Sequence, residues 1–287
     1  MTLSGFSFVR NGMKFAYPFC ESILSVLPIV DEFVIAVGRS DDNTLEQIKA
    51  INSDKIKIIE TVWDDSLREG GKTLAQQTNI ALKNISSDWG LYLQADEVVH
   101  EKDLPTIQHA CKEYLNNAKV EGLLFSYKHF YGSYEYVGDS RRWYRNEIRI
   151  VRNNIGIKSW GDAQGFRIND RKMKVRNIEA EIFHYGWVKS PTHQQQKQKS
   201  FHKLWHSDSW VNEKLGKGEK YDYSHGGKLS RFLGTHPSVM KERIAQQDWE
   251  FLYDGFSVRA PIKESFMNWI ENKTGFRVGE YKNYELI

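Results

Sequence analysis

Up to about residue 130 the chain repeats one pattern, a short apolar run followed by a segment with helical spacing, and this alternation constrains the fold more than any other feature. Leu3 to Val9 predicts a strand, and after the turn at Asn11 and Gly12 the apolar spacing of Pro18 to Leu27 predicts a helix. A strand at Glu32 to Val37 runs into the loop 38–43, where Ser40 or Asp41 can cap a helix starting near Thr44. Lys55 to Thr61 is the next strand, Lys72 to Asn84 a helix, and Trp89 to Gln94 an apolar strand that stops at Ala95, Asp96 and Glu97. Asp103 to Asn116 and Gly122 to Tyr127 complete the series with a helix and a strand. Strands alternating with helices of this length predict an α/β fold, a mostly parallel central sheet flanked by helices. In such sheets ligands bind outside the carboxyl ends of the strands. That rule selects the loops 38–43, 64–72 and 94–97, all polar and two of them acidic.

After residue 130 the alternation gives way to short strands, Glu147 to Arg152, Gly165 to Ile168 and Ala180 to His184, joined by Gly-, Asn- and Trp-containing turns. Residues 190–215, 238–254 and 260–272 have helical spacing. The prediction is a domain over 1–190, in halves 1–130 and 131–190, followed by a mainly helical C-terminal extension over 191–287 packed on it.

Charge narrows the partners. Forty Lys and Arg against 37 Asp and Glu give +3, too near balance for binding nucleic acid through bulk charge. Residues 141–176 nevertheless hold eleven Lys or Arg against three acids, a local balance of +8 that leaves −5 for the rest. Guanidinium forks suit phosphate oxygens, so this segment could meet a diphosphate, a phosphorylated acceptor or an acidic membrane surface. Strict alternation from Glu147 to Arg152 would place Glu147, Arg149 and Val151 on one face and Ile148, Ile150 and Arg152 on the other, so the arginines cannot all share a site. Two cysteines, Cys20 and Cys111, make no disulfide framework. Without an export signal or an apolar run long enough to span a bilayer, the expected location is the cytoplasm, with peripheral contact at the inner face of the membrane allowed.

The chemistry points to the run from Trp89 to Glu97. A buried strand would set Asp96 and Glu97 at its carboxyl end, where carboxylate oxygens can hold a hard divalent cation and leave positions for a diphosphate. Helix capping or plain solvation would equally account for two acids there.

The run from Ser66 to Val98 resembles the family-2 glycosyltransferases of the GT-A fold, through Gly71-Lys72, Asn79-Ile80-Ala81-Leu82, Asp88-Trp89-Gly90 and Leu93-Gln94-Ala95-Asp96-Glu97. The opening Ser4 to Asn11, the loop Val37 to Thr44 and the segment Ile182-Phe183-His184-Tyr185-Gly186 are similar to the corresponding parts of that family, over roughly residues 3–190. The resemblance implies a nucleoside-diphosphate sugar donor lying across the strand ends, with Phe8, Arg10, Asp42 and Lys72 on the nucleotide and Gln94 on ribose or sugar. It implies Mn2+ or Mg2+ on Asp96 and His184, and Arg68 or Lys72 beside a phosphate. Two departures stand out. Val37-Gly38 replaces an Asp that holds the base in many relatives, and Gln94 replaces the first Asp of the Asp-x-Asp metal motif, so cationic side chains could take over part of the ion's work.

An inverting transfer also needs a carboxylate to take the acceptor's proton. Asp162, in a glycine-flanked turn beside Trp160, is favoured, with Glu147 second and Asp139 third. The expected activity is metal-dependent, inverting transfer of a sugar to a hydroxyl of a glycan or lipid-linked acceptor, of the kind used in cell-surface polysaccharide or lipopolysaccharide assembly. Trp205, Trp210 and residues 234–237 would shape the acceptor side. The rivals are a degenerate transferase that only binds nucleotide or sugar and, last, a nucleic-acid protein built on residues 141–176, which the acidic sheet loops disfavour.

Overall fold

The computed structural model describes residues 1–64, 66–67, 70–215, 218–255, 267, 269–271, 273–275 and 277–287. Arg68 and most of the helix expected at 260–272 lie outside them. In chain order the elements are β1 (Leu3–Val9), α1 (Phe19–Val26), β2 (Glu32–Gly38), α2 (Thr44–Ala50), β3 (Ile56–Thr61), α3 (Lys72–Leu82), β4 (Trp89–Tyr92), β5 (Glu97–Val99), α4 (Leu104–Glu113) and β6 (Gly122–Tyr131). There follow β7 (Tyr136–Gly138), β8 (Asn146–Arg152), β9 (Ile157–Trp160), β10 (Gly165–Ile168), β11 (Arg171–Lys172), β12 (Lys174–Trp187), α5 (Pro191–His202), α6 (Asp208–Leu215), β13 (Leu229–Arg231), α7 (Lys241–Ala245) and β14 (Glu285–Leu286).

The central sheet runs β3-β2-β1-β4-β8-β6-β12, with β8 antiparallel to both neighbours and the other adjacent pairs parallel. This is the mostly parallel sheet expected from the alternation. One face packs Phe19, Ile23 and Val26 of α1 and Ile107, Ala110 and Cys111 of α4 against Leu3, Phe33 and Leu91. The other packs Ala81 and Leu82 of α3, with Phe166 and Ile168 of the small β9–β11 sheet, against Phe6, Val34 and Tyr92. With helices on both faces, the carboxyl edge is the open side.

The second half differs more from expectation. The strand foreseen at 180–184 is an inner part of the 14-residue β12, and the helix foreseen at 238–254 is confined to α7 and a 3-10 turn at Ser238–Met240. Strict alternation along β8 also fails. Leu123 faces Ile150 and Leu124 faces Ile148, so β8 carries one extra residue, Arg149, in a β-bulge. Ile148 and Ile150 therefore enter opposite core layers, and the bulge re-aims the side chain of Arg149.

The basic segment is dispersed by its own partners. Arg152 stacks 4.2 Å over Trp89 and donates to the carbonyls of Tyr114, Leu115, Asn117 and Val120, closing the C-terminal end of α4. Arg171 forks onto Glu121, Arg145 onto Glu280, and Arg141 pairs with Glu271. These arginines satisfy buried or half-buried acceptors rather than forming one anion-binding face. At the C-terminal end, β14 pairs with β12, and Ser190, accepting from the His193 N–H, caps α5 directly after β12.

Candidate functional site

Across the carboxyl ends of β1, β2 and β4 lies a cleft of about 1090 Å3, closed on its far side by the C-terminal half of α5 and residues 203–206. Of the residues singled out in the sequence, Phe8, Arg10, Gln94, Asp96, Asp162 and His184 line it. Asp42, Lys72 and Glu147 do not. Asp42 accepts from the backbone N–H groups of Lys14 (2.7 Å) and Thr44 (3.0 Å), locking the loop, and its neighbour Asp41 is the acid that reaches the cleft. Lys72 lines a shallow depression on the outer side of α3, together with the half-exposed Trp160, so this indole does not face the cleft.

At the end of β1, Phe8 meets the ring of Trp63 at a centroid distance of 6.0 Å, and the Arg10 guanidinium lies 5.4 Å from the same indole. Trp63 can settle there because residue 38 is glycine: a Cβ would come within 2.4 Å of the indole nitrogen. Beside the β2 loop the chain thus sets a flat aromatic wall, which the sequence hid because Trp63 lies 25 positions beyond Gly38.

Asp96, buried at the turn after β4, is the centre of the cleft floor. Lys197 of α5 donates to its Oδ2 (3.2 Å) and to the Gly186 carbonyl (2.9 Å), and His184 Nε2 stands 3.7 Å from the same oxygen. Burial alone would raise the Asp96 carboxyl, but the charge of Lys197 and its hydrogen bond, joined by His184 and Lys189 where these are protonated, outweigh it and hold the group below its ordinary value. Gly186 allows this convergence, because a Cβ there would lie 2.6 Å from both Asp96 Oδ2 and His184 Nε2. His184 is backed by His129, directly opposite it on β6. Burial drives both imidazoles down, to about 4 for His184 and about 3 for His129, so both are neutral near pH 7.

Glu97, next to Asp96, points away. Its carboxylate takes both arms of Arg149 (2.7 and 2.8 Å), the Tyr127 hydroxyl (2.8 Å) and the Gln94 N–H (3.1 Å), with the guanidinium flanked by the rings of Tyr92 and Tyr127. The bulge in β8 is what delivers Arg149 to this position. Asp162 approaches from the turn after β9, where Gly71 lets α3 come within contact of it and of Trp205; a Cβ on Gly71 would meet both at 2.8–2.9 Å. Glu147 is buried behind the cleft with Oε2 lacking a hydrogen-bond partner among the described residues, and burial raises it to about 7.

A divalent ion wants several oxygen ligands. Here the Asp96 oxygen nearest His184 already takes an ammonium, Glu97 is consumed by Arg149 and Tyr127, and the Gln94 amide nitrogen is turned to the Ala163 carbonyl at 3.3 Å. Among the described residues no three His, Cys, Asp or Glu side chains converge on a metal position. The Asp96 oxygen that would share Mn2+ or Mg2+ with His184 Nε2, the pair the family resemblance implies, is taken by the Lys197 ammonium as the chain is folded.

Fold and site together define an α/β protein with a mixed aromatic and charged cleft at the carboxyl edge of its sheet. No family model and no curated protein matches the sequence. Solved structures are similar at low identity. Residues 1–349 of TarS from S. aureus in complex with UDP-GlcNAc align with 75% of this chain and 70% of that one, at 14% identity and a TM-score of 0.40. Longer TarS aligns at 15% identity and a TM-score of 0.39, the match spanning 42% of its length. Glucosyl-3-phosphoglycerate synthase from Mycobacterium tuberculosis, in complex with Mn2+, UDP-glucose and phosphoglyceric acid, aligns over 44% of each chain at 18% identity and a TM-score of 0.32. Among the described residues no helix is long and apolar enough to cross a membrane.

Proposed function

We propose that the chain is a glycosyltransferase moving a sugar from a nucleoside diphosphate to a hydroxyl of a glycan or lipid-linked acceptor, with inversion. One observation carries this: a flat aromatic slot, a charged floor and a half-buried carboxylate line a single cleft. Phe8, Trp63 and Arg10 suit a planar base, with Asp41 and Asn11 at its edge. The floor around Asp96 and Lys197 lies where the diphosphate would cross the strand ends, and Gln94 can bond ribose or sugar hydroxyls.

Asp162 is the base. Its carboxylate takes the proton of the acceptor hydroxyl as that oxygen attacks the anomeric carbon, and the bond from that carbon to the diphosphate breaks, with its electron pair leaving on the phosphate oxygen. Trp205, beside Asp162 in the cleft wall, offers the acceptor sugar a flat face. Membrane contact would follow from a lipid-linked acceptor.

The test is transfer or donor hydrolysis with a panel of nucleotide sugars. Turnover by the wild type, lost in Asp162→Asn and Asp96→Ala chains that fold normally, is the expected result. Nucleotide binding without turnover on any donor would leave the degenerate, binding-only reading in its place.

A further inference from the structure

We infer that the ammonium of Lys197 is the resident cation of this cleft, standing on Asp96 where a divalent ion would otherwise sit and contacting the donor diphosphate without metal. The inference rests on the reading of the cleft as a nucleotide-sugar site.

The geometry is specific. Lys197 reaches from α5 across 101 positions of sequence to Asp96 Oδ2 at 3.2 Å and is anchored a second time by the Gly186 carbonyl at 2.9 Å. Its side chain is only 12% exposed, so the ammonium is fixed rather than waving in solvent. An ammonium has three protons. Two are directed at protein oxygens, the ammonium lies 5.0 Å from the Tyr17 ring, and the side chain lines the cleft, within which it can meet a phosphate oxygen.

The charges also balance. Two motif carboxylates with one divalent ion sum to zero. One carboxylate, Asp96, with one ammonium also sums to zero, and the first motif position is the neutral Gln94 in this chain. An acid at 94 without a metal would leave an uncompensated negative charge beside an anionic diphosphate. Gln94 and Lys197 are therefore a matched pair: one acid fewer and one cation built in. Lys189, fixed by the Ala16 carbonyl at 3.2 Å and lying 4.6 Å over the ring of Tyr17, is buried outside the cleft lining, and burial with the neighbouring Lys197 charge drives its ammonium well below the ordinary value, so it leaves this balance to Lys197.

Calorimetry on the EDTA-treated full chain tests this with UDP, GDP and dTDP and their parent nucleosides. The expected result is that one diphosphate binds about tenfold or more tighter than its nucleoside without metal, and that added Mn2+ changes this little. Lys197→Met should bring diphosphate affinity down to the nucleoside level, Lys197→Arg should keep it, and Lys197→Met with Gln94→Asp should acquire Mn2+ binding seen by electron paramagnetic resonance. Diphosphate binding that EDTA abolishes and Mn2+ restores, or a Lys197→Met chain that folds and binds diphosphate like the wild type, overturns the inference. A nucleoside that binds while its diphosphate gains nothing overturns only the role of Lys197. No nucleoside or nucleotide binding at all overturns the nucleotide-sugar reading with it.

Discussion

His129 and His184, side by side on parallel strands, face each other through their Nδ1 atoms at 3.1 Å, while His129 Nε2 lies 2.8 Å from the Tyr144 carbonyl. The carbonyl can only accept, so His129 carries its proton on Nε2 and presents a lone pair at Nδ1. His184 must then carry its proton on Nδ1, which leaves the lone pair of Nε2 turned toward Asp96 and the cleft. Two neutral rings thus hold opposite tautomers, each fixed by the next group in line.

Nitrogen-15 NMR of labelled histidines checks this arrangement. At neutral pH His129 should show the Nε2–H tautomer and His184 the Nδ1–H tautomer, and both should stay uncharged well below the usual histidine range, since burial holds them at about 3 and about 4. In His129→Phe the His184 signal should lose its single-tautomer character.

The fully buried pair Arg149–Glu97 lies directly behind this floor. Removing one partner strands the other charge, so Arg149→Met should cost on the order of 3–5 kcal/mol in urea unfolding. Arg149→Met with Glu97→Gln should recover a good part of that, because the orphaned charge is gone while the Tyr127 and Gln94 N–H contacts can persist.

Glu147 gives a pH dependence with a definite sign. Its carboxyl is raised by burial to about 7, so between the ordinary value of 4.5 and about 7 the folded chain keeps a proton that the unfolded chain has lost. Stability therefore falls as pH rises through that window, by up to about 3 kcal/mol, and levels off above it. Glu147→Gln should unfold at higher urea than the wild type near pH 8, as should not happen near pH 4, where both states are protonated in the wild type.

How far the sequence discloses this molecule depends on the range of the determining contact. The sheet is legible because each strand before residue 130 is apolar by itself and each helix carries its own spacing. Asp96 and His184 stand out in the sequence because each is a polar residue directly after an apolar run. Lys197 is not, since α5 is a polar helix with no apolar stripe to orient it and its partner is far away in sequence. Asp42 and Asp41 differ by one residue, and only the turn decides which of them is tied to the loop backbone and which reaches the cleft rim. Arg149 is misplaced by any strict alternation because a bulge adds one residue to β8, and a bulge has no signature in the run Glu147 to Arg152.

Gly38 tests the aromatic slot. In Gly38→Ala the new methyl would stand 2.4 Å from the Trp63 indole nitrogen, so the ring must swing off the floor of the slot. Nucleotide-sugar KM should rise about tenfold with kcat little changed, the pattern of lost uniform binding. Trp63→Ala should show the same split, whereas a rise confined to kcat effects would count against a base in this slot.

Asp162 and Glu147 separate the two candidates for proton removal. Asp162 reaches the cleft from a turn fixed by Gly161 and Ala163 at positive φ (61° and 66°), whereas Glu147 is enclosed behind it. A base must come within hydrogen-bond reach of the acceptor hydroxyl, and only the first can do so without moving the sheet. Asp162→Asn keeps the size and turn-forming character of the side chain but cannot take a proton, so kcat for transfer should fall by about 100- to 10,000-fold with donor affinity unchanged. Glu147→Gln should leave kcat within about threefold of the wild type at pH 7, because its carboxyl never meets the acceptor. The reverse pattern, a silent Asp162→Asn and an inactive but folded Glu147→Gln, would require the β8 carboxylate to be the group that meets the acceptor.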